Sequence, residues 1–162
     1  MEPTKLDVSI EPARDADGPA ILRLLSVAGL PIDGLLDHLD TAVVARAGGR
    51  VVGCAALEVY ADGALLRSVV VDSDAKGHGI GTQVTTAALN LANVLAAPAV
   101  YLLTTTAEEF FPRFAFERVG RDQVPAGVQM SVEFQAACPS TAIVMRRAMS
   151  GKEGRLMPDV TC

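Results

Sequence analysis

Apolar and polar positions along this chain change period often enough to predict short alternating elements rather than one long repeat. Val8 to Glu11 alternates and predicts a first strand, ended by Pro12. Asp15 or Asp17 can cap a helix running to about Ala28, whose apolar face is Ile21, Leu24, Leu25 and Ala28, with Gly29 as its stop. Leu30-Pro31-Ile32 reads as a loop able to border a substrate, and Pro31 to Leu39 contains a second short helix with Leu35, Leu36 and Leu39 on one side. Ala42 to Arg46 and Val51 to Val59 predict a hairpin around Gly48-Gly49. Asp62-Gly63 turns the chain into a third strand, Leu65 to Val71, which is Val-rich and without Gly or Pro, as a buried strand should be.

Asp72 to Lys76 is a polar loop, and Gly77-His78-Gly79-Ile80-Gly81 then opens a helical pattern that lasts through Leu95. Pro98 breaks it, and Val100 to Thr106 predicts a strand parallel to the one before the helix. Ala107 to Arg113 reads as a further helix, with Glu108 and Glu109 suited to its first turn, and Phe116 to Val119 as a strand. Asp122 to Ala137 is irregular, with a short helix expected around Ser131–Ala136, and Ser140 to Met149 closes the pattern as a strand. The order is β-α-α-β-β-β-α-β-α-β-β: one α/β domain with a mixed sheet over residues 1–150, then a flexible tail over 151–162.

Strand, glycine loop and helix start together make an anion site. The first turn of a helix carries amide donors without internal partners, and the helix dipole adds positive charge there. Gly77, Gly79 and Gly81 leave room for a phosphate to approach the backbone, and Lys76 puts a cation at the mouth. The alternative reading of these glycines is a tight turn alone. The dinucleotide fingerprint does not fit, because its third glycine falls at Thr82, and the phosphate loop ending in Gly-Lys-Ser/Thr is absent.

Composition narrows the partners. A net charge of −5, aromatic residues at 4% and no Trp speak against nucleic acid. The hydrophobic fraction of 50% is high, yet no apolar run is long enough to span a membrane, so the surplus points to a subunit interface and a homodimer. The opening Met-Glu-Pro-Thr-Lys-Leu-Asp has no apolar run, so no secretory signal is expected. Cys54, Cys138 and Cys162 form neither a zinc spacing nor a disulfide framework; a cytoplasmic protein without a metal is expected.

Lys76-Gly77-His78-Gly79-Ile80-Gly81, following a strand that ends in Val69-Val70-Val71, resembles the Q/R-x-x-G-x-G/A pyrophosphate signature of the GNAT acyl-CoA N-acyltransferases. Lys76 replaces the usual Arg or Gln and keeps a charge. The element order is similar to that family over roughly Val8 to Met149. Two further phrases, Ala64-Leu65-Leu66-Arg67-Ser68 and Tyr101 to Glu108 with Phe110-Phe111 and Cys138-Pro139-Ser140, resemble the arsenic-resistance-associated branch of its N-acetyltransferases.

The resemblance implies acetyl transfer from acetyl-CoA to an amine. It implies the pyrophosphate on the amides of Gly77 to Thr82, with Lys76 beside it, and the pantetheine arm along Ser68, Val69, Val70 and Val71. Many members carry a Tyr acid in a Phe-Tyr-x-x-x-Gly-Phe phrase; the matching positions here are Phe110-Phe111-Pro112-Arg113-Phe114-Ala115-Phe116, so Phe111 cannot donate and is expected in the core or against the pantetheine. A thiol with a pKa of about 8.5 can leave as thiolate without a strong acid. Glu58, at the end of an apolar strand, is the candidate base, or else an ion-pair partner of Arg67. Arg67 interrupts an apolar strand and is read as receiving an anionic group of the substrate, or as paired with Glu58. Ser68, Thr104 and Thr105 are expected near the substrate; His78 is read as a coenzyme contact or exposed, and His38 as a surface residue.

The acceptor expected from these features is a small amino-acid-like molecule, with an arsenic- or phosphorus-containing amino-acid antibiotic as the case the branch suggests. A polyamine or protein N-terminus, and a non-catalytic acyl-CoA-binding module, are the alternatives.

Overall fold

A computed structural model of the chain describes residues 7–131, 134 and 142–149. Its elements are β1 (Ser9–Pro12), α1 (Gly18–Ala28), β2 (Ala42–Ala47), β3 (Arg50–Tyr60), β4 (Gly63–Val71), α2 (Ile80–Val94), β5 (Ala99–Thr104), β6 (Glu117–Val119), α3 (Ala126–Gln129) and β7 (Ile143–Ala148), with 3-10 turns between several of them. The strands form one seven-stranded mixed sheet in the order β1-β2-β3-β4-β5-β7-β6. The fold is α/β, as the hydrophobic pattern predicts.

The described residues group into two compact units, one made of 7–57 with Ser68–Ala88 and the other of Glu58–Arg67 with the described residues after Ala88. In the first, β1, β2 and β3 pair antiparallel, from Ser9↔Arg46 to Pro12↔Val43 and from Ala42↔Ala56 to Ala47↔Arg50. Gly48 and Gly49 turn the β2–β3 hairpin with φ of 57° and 81°, the left-handed geometry that favours glycine in such turns. Ile21 and Leu25 of α1 pack with Leu35, Leu39, Val44, Cys54 and Val70 in its core. Leu24 is only partly buried and Ala28 is exposed, which narrows the expected stripe on α1. Asp17 does not cap α1 with its side chain; its carboxylate accepts from the Arg14 amide and from Arg46, tying the start of the helix to β2. The second short helix is a 3-10 turn, Leu35–Thr41, kinked at His38; it buries Leu35 and Leu39 but leaves Leu36 at 54% exposure and His38 half-buried.

In the second unit, β5 runs parallel to β4 through Ala64↔Val100 and Leu65↔Tyr101. The last strand, β7, inserts antiparallel between β5 and β6, from Ala99↔Ala148 to Thr104↔Ile143 on one side and Glu117↔Arg146 to Val119↔Val144 on the other. Leu65, Ala99, Tyr101, Val124, Val128 and Val144 form its core, with Tyr60 packed partly against them.

The helix expected over Ala107–Arg113 does not form. The chain bends there and takes only a 3-10 turn at Phe111–Phe114. Pro112 has no amide to donate, and its ring crowds the turn before it. Four phenylalanines pack edge to face instead, with ring centres of Phe110 and Phe111 5.0 Å apart and those of Phe111 and Phe116 5.8 Å apart. The strand before it ends at Thr104, leaving Thr105 and Thr106 in an exposed bend. A short helix lies at Ala126–Gln129; most of the helix expected over Ser131–Ala136, the Cys138-Pro139-Ser140 phrase and the tail over 151–162 lie outside the described residues.

Candidate active site

The glycine turn is built as its sequence requires. After β4, Asp72 accepts the Asp74 amide on its side chain at 2.9 Å and the Ala75 amide on its carbonyl at 2.9 Å, closing a short 3-10 turn over Ser73–Ala75. That amide bond, and then the Arg50 guanidinium at 2.9 Å, hold the Asp72 carboxyl below the usual carboxylate range. Gly77 and Gly79 follow with φ of 86° and 74°, and nothing lies within 4 Å of a methyl group built on either. Their requirement is therefore conformational, since a side chain would find space but not a favourable backbone angle. Lys76, Gly77, His78, Gly79 and Thr82 are exposed, Gly81 is half-buried, and Ile80 anchors the turn at 2% exposure. The Gln83 amide reaches the Gly79 carbonyl at 3.1 Å; amides in the first turn of a helix lie ahead of the internal ladder, at the positive end of the helix dipole.

Ile80 sits where it does because β3 carries a glycine beneath it. A methyl built on Gly53 would lie 2.9 Å from Ile80 Cγ2 and 3.1 Å from the Val70 carbonyl oxygen. Gly53 went unassigned in the sequence reading; a lone glycine inside a Val- and Ala-rich strand is the signal for a close approach. Ser68, one residue past Arg67, has φ of 60°, so β4 is kinked at a non-glycine residue in the left-handed region. Its carbonyl accepts a bond from the buried Cys54 thiol at 3.1 Å.

The other group of candidate residues is a buried ion pair. Arg67 Nη1 donates to Glu58 Oε2 at 2.8 Å, and the two side chains are 0% and 1% exposed. The Tyr60 hydroxyl donates to Glu58 Oε1. Glu58 and Tyr60 are two apart on β3 and share one face of the strand. Burial, and then the bond to Glu58, raise the Tyr60 phenol well above its ordinary pKa, so it stays protonated. The pairing of Arg67 with Glu58 is thus the arrangement present, and Tyr60 is a third member that the sequence reading did not name.

Thr104 is buried and its hydroxyl accepts the Ala107 amide at 2.9 Å, so it caps the turn that follows β5. Thr105 is exposed in the bend. Phe111 is 6% exposed inside the aromatic cluster. Among the described residues, no three His, Cys, Asp or Glu side chains gather to hold a metal ion, and no helix is long and apolar enough to cross a membrane.

A family model described as an acetyltransferase (GNAT) domain matches residues 38–118, half of the chain, from the 3-10 turn before β2 through the glycine turn to β6. The chain belongs to the GNAT acetyltransferase family. This GNAT chain is 40% identical over 81 residues to an amino-acid acetyltransferase of Mycobacterium tuberculosis, a match covering 49% of this chain and 46% of that one. It therefore spans about half the length of that curated relative. Among solved structures, Rv2747 of Mycobacterium tuberculosis, in complex with CoA, superposes with a TM-score of 0.75 at 28% identity, covering 87% of this GNAT chain and 99% of that one. N-acetylglutamate synthase of Neisseria gonorrhoeae, complexed with coenzyme A and N-acetyl-glutamate, shares the fold with a TM-score of 0.75 at 21% identity, over 90% of this chain and 36% of its own.

Proposed function

We propose that this chain moves the acetyl group of acetyl-CoA onto the amino group of a small amino acid or amino-acid-like molecule. The observation that carries the reading is the open glycine turn, in which Gly77 and Gly79 adopt left-handed angles with free space above them at the start of α2. Such a turn suits the diphosphate of coenzyme A, with Lys76 and His78 beside it and the amides through Thr82 as donors. The pantetheine arm then lies along Ser68 to Val71 as an added strand would. An amino-acid acceptor is supported by the relatives named an amino-acid acetyltransferase and an N-acetylglutamate synthase.

Glu58 is the proposed ultimate acceptor of the proton that the substrate ammonium must lose before it attacks. Arg67 has a fully buried side chain engaged with Glu58, which supports a role in holding that carboxylate more than direct contact with an anionic substrate group. Phe111 offers no proton, and coenzyme A leaves as a thiolate. Within the amino-acid class, an arsenic- or phosphorus-containing amino acid is the narrower candidate that the sequence resemblance favours.

Thiol release from acetyl-CoA, measured with acidic, neutral and oxyacid-bearing amino acids and with a polyamine, tests the reading. Turnover with at least one amino acid and little with the polyamine is the expected result. Turnover with the polyamine alone would move the acceptor to the cationic class that a net charge of −5 suits. Binding of coenzyme A without turnover on any amine would leave only an acyl-CoA-binding module.

A further inference from the structure

We infer that the Tyr60 hydroxyl is the group that takes the proton from the substrate amine and passes its own to Glu58. This rests on the acetyl-transfer reading and deepens it. Glu58 is 1% exposed, so a substrate amine has no open approach to its carboxylate. A bonded neighbour at that carboxylate gives the proton a path inward. Two side chains described on that carboxylate are Arg67 and Tyr60, and a guanidinium has five donors and no acceptor with which to take a proton from an amine. A phenol hydroxyl has one hydrogen to give and lone pairs to accept another. Tyr60 gives its hydrogen to Glu58 Oε1 and is itself only half-buried.

An N–H bond of the substrate ammonium breaks and its proton goes to Tyr60 Oη, while the Tyr60 O–H bond breaks and that proton goes to Glu58 Oε1. The phenol is neutral before and after, the carboxylate becomes a carboxylic acid, and the nitrogen gains a free electron pair. That pair attacks the thioester carbon, the C–S bond breaks with its electrons on sulfur, and the thiolate takes the second proton from nitrogen. The Glu58 proton returns through Tyr60 to solvent. The raised phenol pKa suits this role, because a tyrosinate would have no hydrogen to pass on. Among the described residues, the charged groups acting on Tyr60 are Glu58 on its own strand and Arg67 on β4. Arg67, bonded to the other carboxylate oxygen, keeps Oε1 turned to the phenol.

Steady-state kinetics on the full chain with acetyl-CoA and the best amino acid of the panel test the relay. Tyr60→Phe should lower kcat by about 100-fold at neutral pH, in the range of general acid–base effects, with KM for acetyl-CoA within about twofold of wild type. Glu58→Gln should lose a similar factor, and the double variant no more than about threefold beyond either single one, because both act in one path. The Tyr60→Phe deficit should shrink as pH rises past the pKa of the acceptor amine, where no proton need be removed; a merely structural bond would give the same deficit at every pH. Wild-type kcat in Tyr60→Phe, a pH-independent loss, or multiplying losses in the double variant would overturn the relay while acetyl transfer stands. Wild-type inactivity on every amine would overturn the transfer reading and the relay with it. Should Tyr60→Phe not fold, single-turnover rates of the wild type in mixed light and heavy water replace it: a curved dependence on deuterium fraction is expected for two protons moving together, and a straight line overturns the relay.

Discussion

Removing the Arg67 guanidinium would strand the Glu58 carboxylate where only 1% of the side chain meets solvent. Breaking a buried pair from one side costs about 3–5 kcal/mol, whereas exchanging both members for apolar residues is often nearly neutral. Arg67→Ala should lose that much in urea denaturation, and Arg67→Met with Glu58→Leu should regain most of it. Loss of activity in Arg67→Ala is therefore no measure of substrate contact. Backbone strain adds a second test at this scale. Ala115 closes the Phe111–Phe114 turn with φ of 68°, at the position where the family phrase carries Gly. Left-handed geometry costs a residue with a Cβ about 1–2 kcal/mol, partly offset by the greater unfolded-state freedom of glycine. Ala115→Gly should stabilise the protein by about 0.5–1 kcal/mol in the same denaturation assay.

Between elements, the glycine turn depends on conformation at one end and space at the other. Gly79→Val has room for its side chain but not for its φ of 74°, so it should re-aim the helix-start amides and weaken coenzyme A binding at least about tenfold by calorimetry. Gly53→Val fails for the opposite reason: its backbone angle is ordinary, but the added carbons press on Ile80 and the Val70 carbonyl. It should displace the first residue of α2, costing both stability and coenzyme affinity. Arg46 links β1, the turn before α1 and β2 through Glu11 at 3.0 Å and Asp17 at 3.0 Å. The Ser9 hydroxyl and then Arg46 lower the Glu11 pKa, and Arg46 lowers that of Asp17. A depressed folded pKa gives stability that is present above the unfolded values of 4.5 and 3.8 and is lost as pH falls through the folded ones. Urea midpoints should fall as pH drops below about 4.5, and Asp17→Asn should start lower and fall less steeply.

For the molecule as a whole, a ligand that binds only the folded chain raises its melting temperature by mass action. Coenzyme A at a hundredfold excess over its Kd adds about 2.7 kcal/mol, or roughly 5–10 °C for a chain of this size. Scanning fluorimetry should show that shift in wild type and in Tyr60→Phe, and about half of it or less in Gly79→Val at the same coenzyme concentration. The three-way outcome separates grip on the coenzyme from proton transfer at the amine.

Local chemistry settled much of this protein. The Gly48-Gly49 hairpin, the Val-rich strand ending at Val71, and the Lys76–Thr82 turn into a helix follow from short-range rules of backbone freedom and hydrophobic period, and each formed where its residues indicated. Such rules see only a few neighbours at a time. They do not see that Pro112 and four packed phenylalanines would outweigh a plausible helix over Ala107–Arg113, nor that the last strand would slide between β5 and β6. Least of all do they rank Glu58, Tyr60 and Arg67, because a polar residue in an apolar strand is either a solvated edge or a paired interior group. That choice was made by pairing across adjacent strands, which buried the arginine and carboxylate together and left the phenol hydroxyl on the carboxylate.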